Sequence, residues 1–164
     1  MKTSTQKIVK TSLIAALCCI ATMIIKIPSP LNGYLNLGDC VVIFAGWLFS
    51  PMYGFLAAGF GSALADIFLG YVVYSPATFV IKGIMAAIVS YSYKCLKEKK
   101  MKVVYLVIFG AIAEIFMVLG YYIFESILYG FAASAVNIPA NSMQGIAGLI
   151  IGMALIKIFE KRLK

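Results

Sequence analysis

Residues 63–83, ALADIFLGYVVYSPATFVIKG, set Asp66 and Lys82 inside two apolar segments that are joined by a short aromatic turn. One ionised side chain at the centre of a membrane helix costs about 2.5 to 3.5 kcal/mol. If the turn from Tyr71 to Pro76 lies at one membrane face, both charges sit roughly 7 to 9 Å below it. Equal depth predicts that they pair. The pair either belongs to a ligand site or only joins two helices, since buried charges are paired in both cases.

The composition places the whole chain in a membrane. Of its 164 residues, 63% are hydrophobic and 12% are charged, whereas a soluble domain has about 25% charged residues. The mean hydropathy is +1.00. At about 20 residues per span, the length allows five or six helices and no additional soluble domain. We therefore expect residues 1–164 to form a single transmembrane domain.

The net charge of +8 comes from basic residues that are concentrated in three clusters. The clusters are Lys2, Lys7 and Lys10; Lys94, Lys97, Lys99, Lys100 and Lys102; and Lys157, Lys161, Arg162 and Lys164. Basic segments next to membrane helices remain in the cytoplasm. Placing all three there requires an even number of crossings on each side of the middle cluster, so we predict an all-α bundle of six transmembrane helices with both termini cytoplasmic. Nucleic acid is not expected as a partner.

Hydrophobic segments and their breaks predict the helices. The predicted ranges are Thr11–Ile27, Leu37–Phe49, Met52–Gly70, Pro76–Tyr93, Val103–Phe124 and Ala140–Phe159. Residues 28–39 and 126–138 are predicted to be external loops, the first because its prolines, glycines and asparagines interrupt any helix. Asp39, at the end of the first loop, is suited to cap the second helix.

Polar residues collect toward the outer half of the predicted bundle, and Glu114 lies deeper, near the middle of the membrane. The candidate substrate contacts are Asn36, Asp39, Asp66, Lys82, Tyr121, Glu125, Asn141 and Gln144. Aromatic walls with a few orienting polar groups are typical of a pocket for a compact polar ligand. Tyrosines also gather at membrane surfaces without any ligand.

Small residues follow one face of the first predicted helix. Ser12, Ala15, Cys19 and Thr22 are spaced by three or four residues, which aligns them on a helix. In lipid such a face permits close approach of another helix. The approaching helix can belong to this bundle or to a partner protein.

Catalysis has no support in the sequence. The chain contains no histidine, and its four cysteines lack the spacing of metal ligands. Phosphate-binding and nucleophile motifs are also missing from it. We predict that the protein is not an enzyme and has no cofactor and no metal site.

Five fragments in order resemble the S components of energy-coupling factor (ECF) vitamin transporters, which are their substrate-binding subunits. They are GYLNLGD (33–39), YG (53–54) with GSALAD (61–66), YSPATFVIKG (74–83), GYYIFE (120–125) and PANSMQG (139–145). The resemblance is to the branch that includes hydroxymethylpyrimidine, pyridoxine and riboflavin carriers. It covers nearly the whole chain.

The resemblance implies a vitamin site near the outer face of a bacterial plasma membrane, closed by the loop after the first helix. Pyridoxine or hydroxymethylpyrimidine is the favoured class of substrate. The implied partners are an EcfT-like membrane coupling subunit and two ATPase subunits. Docking through the first helix would use Ser12, Ala15, Ala16 and Cys19, which are similar to the A-x-x-x-A pattern of the family.

The residues leave a second function open. A stand-alone carrier could couple solute movement to protons through Glu114, which lies near mid-membrane in the predicted fifth helix. The chain could also be a structural membrane subunit without transport. Uptake driven by a proton gradient alone would favour the carrier, whereas dependence on ATPases would favour the S component.

Overall fold

A computed structural model describes residues 4–29, 33–95 and 102–163 of the chain. Within these ranges the helices are α1 (Ser4–Ile24), α2 (Gly38–Leu48), α3 (Pro51–Phe68), α4 (Ser75–Cys95), α5 (Lys102–Tyr129), α6 (Phe131–Ser134) and α7 (Ile138–Leu163). The strands β1 (Ile27–Pro28) and β2 (Tyr34–Leu35) and a short 3-10 helix (Ala135–Asn137) complete the described elements. Lys2, Lys97, Lys99, Lys100 and Lys164 of the basic clusters lie outside the described residues.

The short helix α2 forms the centre of the bundle. Its residues from Gly38 to Trp47 are all buried, and it packs against α1, α3, α4 and α7. With 11 residues it rises only about 16 Å, well short of a hydrocarbon core of about 30 Å. A helix that is apolar on all sides is stable only when other helices surround it, and here the longer helices do so.

The outer surfaces of the long helices are apolar. Leu13 on α1, Ile115 on α5 and Ile150 on α7 are each at least 60% exposed. Four helical stretches of the described chain are long and apolar enough to cross a membrane: Thr5–Ile24, Ser75–Ser92, Val103–Tyr129 and Phe131–Lys161. These surfaces suit contact with lipid, as the composition predicts.

The segment between α1 and α2 folds back across one end of the bundle. Strands β1 and β2 pair in antiparallel fashion, with Ile27 opposite Leu35 and Pro28 opposite Tyr34. The backbone N–H of Ser29 donates to the carbonyl of Gly33 at 3.0 Å and closes the turn. In its described residues, 25–29 and 33–37, the segment is not helical, as its prolines and glycines predict. We refer to β1 and β2 with Ser29, Gly33 and Asn36 as the strand pair.

The prediction of a loop at residues 126–138 is wrong. Helix α5 continues to Tyr129, and after Gly130 the chain is helical again up to the start of α7. Gly130 has φ of 86°, a conformation that glycine adopts without steric cost. The break is therefore one residue long, because the small and apolar residues that follow it favour a helix.

Two glycines of α7 allow α2 to approach closely. A Cβ added at Gly148 would lie 2.6 Å from Cβ of Asp39, and one at Gly152 would lie 3.2 Å from the carbonyl oxygen of Cys40. Small residues four apart let helices pack at short distance. This contact brings α7 against the first turn of α2 and so places Asp39 next to polar groups of α7.

Candidate functional site

A polar cavity lies under the strand pair, at the end of the bundle where α3 joins α4. Its wall is built from α1, α3, α4, α5, α7 and the strand pair. The lining residues are Thr22, Ser29, Gly33, Tyr34, Asn36, Ser62, Asp66, Tyr71, Tyr74, Thr78, Lys82, Tyr121, Glu125, Asn141 and Gln144. The space left free between these side chains is about 30 Å³, room for about one or two water molecules. A larger ligand therefore requires side chains or the strand pair to move.

The floor of the cavity is an ion pair between Lys82 and Asp39. The Lys82 ammonium contacts Oδ1 of Asp39, while Nε2 of Gln144 donates to Oδ2 at 2.7 Å. Lys82 is 2% exposed and Asp39 is fully buried. Both carboxylate oxygens of Asp39 therefore have a partner, as a buried charge requires.

Two sequence predictions are corrected by this ion pair. Lys82 pairs with Asp39 of α2 rather than with Asp66, although Asp66 and Lys82 both line the cavity. Asp39 does not cap α2, because the helix begins at Gly38 with Leu37 at the cap position and no side-chain cap bond. Asp39 instead lies in the first turn of α2 and faces Lys82.

The strand pair is bonded to the cavity by Tyr34. Its hydroxyl donates to Oδ1 of Asp66 at 2.6 Å, and its ring lies 4.7 Å from that of Tyr71. Burial, and then the Asp66 carboxylate, raise the pKa of the Tyr34 hydroxyl above its usual value, so the hydroxyl keeps its proton and acts as the donor. The ammonium of Lys26 lies over the ring of Tyr71, with its Nζ 4.6 Å from the ring centroid.

A second connection ties the strand pair to α7. The side-chain oxygen of Gln144 accepts the backbone N–H of Asn36 at 2.9 Å. Since the same amide also donates to Asp39, Gln144 joins the covering segment to the ion pair on the floor. Opening the strand pair therefore breaks bonds at two separate points, Tyr34 and Asn36.

Glu125 also lines the cavity and lies near the end of α5. Its Oε1 accepts from Nδ2 of Asn137 at 2.9 Å and from the hydroxyl of Tyr74 at 3.4 Å. Asn137 comes from the 3-10 helix before α7, so this bond holds the α5–α7 connection against the cavity. In the structure, the helical residues 131–137 bring Asn137 within reach of Glu125.

Two carboxylate oxygens that belong to the cavity have no hydrogen-bond partner among the described residues. They are Oδ2 of Asp66 and Oε2 of Glu125, and both are buried. The hydroxyl of Thr78 lies beside Asp66 and shares a hydrogen bond of 3.0 Å with the hydroxyl of Tyr121, in which either group can be the donor. Buried acceptors without a donor are costly, which makes these two oxygens the points where a ligand donor would be most favourable.

Glu114 lies outside the polar cavity. It is 6% exposed, and neither of its oxygens has a partner in the part of the chain that the structure describes. Its side chain packs against Gly145 and Gly148 of α7. Asp39 contacts Gly148 as well, so Glu114 lies close to the ion pair.

Comparison with known proteins identifies the family. A family model described as "ECF-type riboflavin transporter, S component" matches residues 2–161. The chain belongs to this family. It is therefore a membrane subunit of a vitamin transporter, and its family is not a family of enzymes.

This S component is similar to a further sequence and to solved structures. A protein from Pyrococcus woesei described as "Uncharacterized protein in gap 3'region" is 37% identical over 145 residues, covering 88% of this chain and 95% of the relative. The fold is similar to a solved structure described as "Structure and mechanism of the S component of a bacterial ECF transporter", with TM-score 0.74, 22% identity and 99% of each chain covered.

A second solved structure is also similar in fold. It is described as "Crystal structure at 2.1 A of the S-component for biotin from an ECF-type ABC transporter", with TM-score 0.52 and 18% identity over 96% of this chain and 95% of that chain. At these identities the two solved structures support the fold alone.

The structure brings most of the predicted contacts of the S component together. The cavity is lined by Asn36, Asp66, Lys82, Tyr121, Glu125, Asn141 and Gln144, and Asp39 lies behind Lys82. Residues that the sequence analysis did not select include Tyr34, Thr78 and Asn137. Tyr34 belongs to the GYLNLGD fragment, and Thr78 precedes Lys82 by one helical turn. Membership of that fragment could have identified Tyr34, and the spacing from Lys82 could have identified Thr78.

The predicted docking residues line a different surface. Ser12, Ala15, Ala16 and Cys19 form one side of a groove whose other side is made of α3 residues that include Tyr53 and Phe60. The groove is apolar and open, and its free space, measured in the same way as that of the cavity, is about 590 Å³. Thr22, on the same face as Ser12 and Cys19 in the prediction, is buried and lines the cavity instead.

Proposed function

We propose that the chain binds a small water-soluble vitamin or vitamin precursor in the polar cavity and delivers it inward as the substrate-binding subunit of an ECF-type importer. In this proposal the bundle has six transmembrane helices, both termini are cytoplasmic, and the strand pair faces the exterior of a bacterial plasma membrane. The three basic clusters of the sequence support this orientation. The short α2 crosses only because the surrounding helices shield its ends.

The observation that carries the proposal is the composition of the cavity wall. Aromatic rings of Tyr34, Tyr71, Tyr74 and Tyr121 stand around polar groups from separate helices. Aromatic walls provide contact area for a flat ring, and a few fixed polar groups orient it. Lys82, which has N–H groups beyond the one directed at Asp39, can donate to a ring nitrogen or oxygen of the ligand.

We favour pyridoxine or hydroxymethylpyrimidine as the class of ligand. Both are single rings with hydroxyl or amino donors, and a single ring requires less rearrangement of a cavity with about 30 Å³ of free space. Riboflavin, which the description of the matched family names, is the competing ligand. Mass spectrometry of small molecules that copurify with the detergent-solubilised protein discriminates among the three. A retained riboflavin would overturn the single-ring assignment and leave the subunit function standing.

Delivery is proposed to use the groove between α1 and α3. Its small side chains would allow a helix of the membrane coupling subunit to pack closely, while two ATPase subunits supply the energy. The test is uptake by proteoliposomes that contain the purified chain with or without the coupling subunit and ATPases. Uptake by the chain alone under a proton gradient, lost in Glu114→Gln, would contradict the proposal and favour the proton-coupled carrier. If the chain neither binds a vitamin nor supports uptake, the proposal fails and a structural role in the membrane is the remaining interpretation.

The groove predicts the effect of one bulky substitution. Ala16→Trp should reduce ATP-dependent uptake about tenfold without changing vitamin affinity, because Ala16 lines the groove and is remote from the cavity. Leu13→Trp is the matched control, since Leu13 is on the same helix, is 67% exposed and does not line the groove. Equal uptake by both variants would exclude this face as the docking surface.

The hydrogen bond of Tyr34 predicts a second effect. Tyr34→Phe removes the donor to Asp66, and a bond to a charged group is worth about 1.5 to 3 kcal/mol. We expect vitamin dissociation to be about tenfold faster, because the strand pair opens more easily. Stopped-flow measurement of tyrosine fluorescence gives the rate. Tyr91→Phe is the control, since Tyr91 is exposed and lies away from the cavity, and it should keep the wild-type rate.

A further inference from the structure

The charges around the polar cavity do not balance. Lys82 is the only basic residue among the described side chains that line the cavity, and its charge is matched by Asp39. Asp66 and Glu125 are further carboxylates of the lining, and their hydrogen bonds come from the neutral groups of Tyr34, Asn137 and Tyr74. Lys26 is at the rim, where its ammonium lies over the aromatic rings of Tyr34 and Tyr71.

Both carboxylates belong to residues that line the cavity. Oδ2 of Asp66 on α3 and Oε2 of Glu125 on α5 are buried and lack any partner among the described residues. A buried carboxylate is stable when donors satisfy both oxygens. A ligand in the cavity that donates to both oxygens would satisfy them.

From this arrangement we infer that the ligand is an uncharged or cationic ring compound with at least two N–H or O–H donor groups, and that the site rejects anionic vitamers. The inference rests on the proposed function and specifies the substrate class of that site. The ligand donates to Asp66 and Glu125 and accepts a hydrogen bond from Lys82. A phosphate ester or carboxylate would place a further negative charge beside two carboxylates that are not neutralised, in a setting where charges are weakly screened.

Ligands that share a ring system and differ in charge test the inference on the wild-type protein. Pyridoxamine, pyridoxine and 4-pyridoxate share one ring and differ in an ammonium, hydroxyl or carboxylate group at one position. Riboflavin and riboflavin 5′-phosphate form a second pair. Isothermal titration calorimetry in detergent should give an affinity for each anionic member at least tenfold weaker than for its uncharged counterpart. Pyridoxamine should bind at least as tightly as pyridoxine.

Variants separate charge repulsion from steric exclusion. Asp66→Asn with Glu125→Gln keeps the side-chain shapes and removes both charges. The ratio of the affinity for the uncharged ligand to the affinity for its anionic counterpart should therefore fall at least tenfold. Glu160→Gln removes a carboxylate of α7 that does not line the cavity, and the ratio should stay at the wild-type value. An unchanged ratio in the double variant would overturn the inference.

The outcomes also distinguish the inference from the proposed function. Should 4-pyridoxate or riboflavin 5′-phosphate bind the wild-type protein as tightly as its uncharged counterpart, the inference fails while vitamin binding stands. If no compound of the panel and no copurifying vitamin binds, the proposed function fails together with the inference. If the double variant does not fold, the affinities of the wild-type protein for the charged and uncharged ligands are sufficient to test the inference.

Discussion

Replacing Lys82 by Met is expected to abolish vitamin binding and to lower the free energy of unfolding by about 3 to 5 kcal/mol. The Asp39 carboxylate is fully buried and loses its counter-charge in this variant. Removal of one partner of a buried ion pair has an effect of about this size, because the remaining charge is neither paired nor hydrated. Lys82 also lines the cavity, so the ligand loses a donor at the same time.

Thiol labelling during a temperature ramp measures the loss of stability. Cys18 and Cys40 are buried and react with a thiol dye only when the bundle opens. A change of 3 to 5 kcal/mol should lower the midpoint of unfolding by about 10 °C in a chain of this length. Binding is measured separately, by titration calorimetry at a temperature where the variant is folded.

A second substitution identifies the partner of Lys82. Adding Asp39→Asn to Lys82→Met removes both charges and should restore most of the lost stability, since an amide at position 39 can still bond Gln144. Adding Asp66→Asn should restore none of it, because Asp66 is bonded to Tyr34 instead. Rescue by Asp66→Asn and not by Asp39→Asn would contradict the ion pair described here. Vitamin binding should remain lost in both double variants.

Gly46→Ala is expected to reduce the free energy of unfolding by about 2 to 3 kcal/mol. A Cβ at this position of α2 would lie 2.5 Å from the carbonyl oxygen of Ala86 and 2.8 Å from Cβ of Val89. Neither atom can move without displacing α4. Overpacking of this kind costs about 1 to 3 kcal/mol and outweighs the gain of up to about 1 kcal/mol that alanine brings to a helix.

The same substitution should weaken vitamin binding from a distance. Gly46 lies two turns along α2 from Asp39, and Ala86 lies one turn along α4 from Lys82, so separation of the two helices also strains the ion pair. Gly110→Ala is the matched control. Its added Cβ would meet only the terminal Cδ1 of Leu149, a methyl group that can rotate away. We expect Gly110→Ala to unfold within a few degrees of the wild type, and equal destabilisation by both variants would refute the close packing of α2 on α4.

The sequence was sufficient for the class of protein and for most of the cavity. Membrane insertion follows from composition, because so few charged residues cannot cover the surface of a soluble domain. The contacts from Asn36 to Gln144 were predictable because a buried polar side chain in a membrane helix is expensive and needs a function or a partner. Helix ends were predicted less well, as the continuation of α5 to Tyr129 illustrates.

The sequence by itself determined which side chains are polar, where each lies along its helix and which share a helix face. Only the tertiary structure decided that Lys82 pairs with Asp39, that Tyr34 binds Asp66 and that Asn137 reaches Glu125. Depth along a helix follows from counting residues, whereas the partner across a helix interface depends on which helices are neighbours and how each is rotated. Here α2 enters the centre of the bundle because Gly46, Gly148 and Gly152 let α4 and α7 approach it, and this approach gives Lys82 its partner.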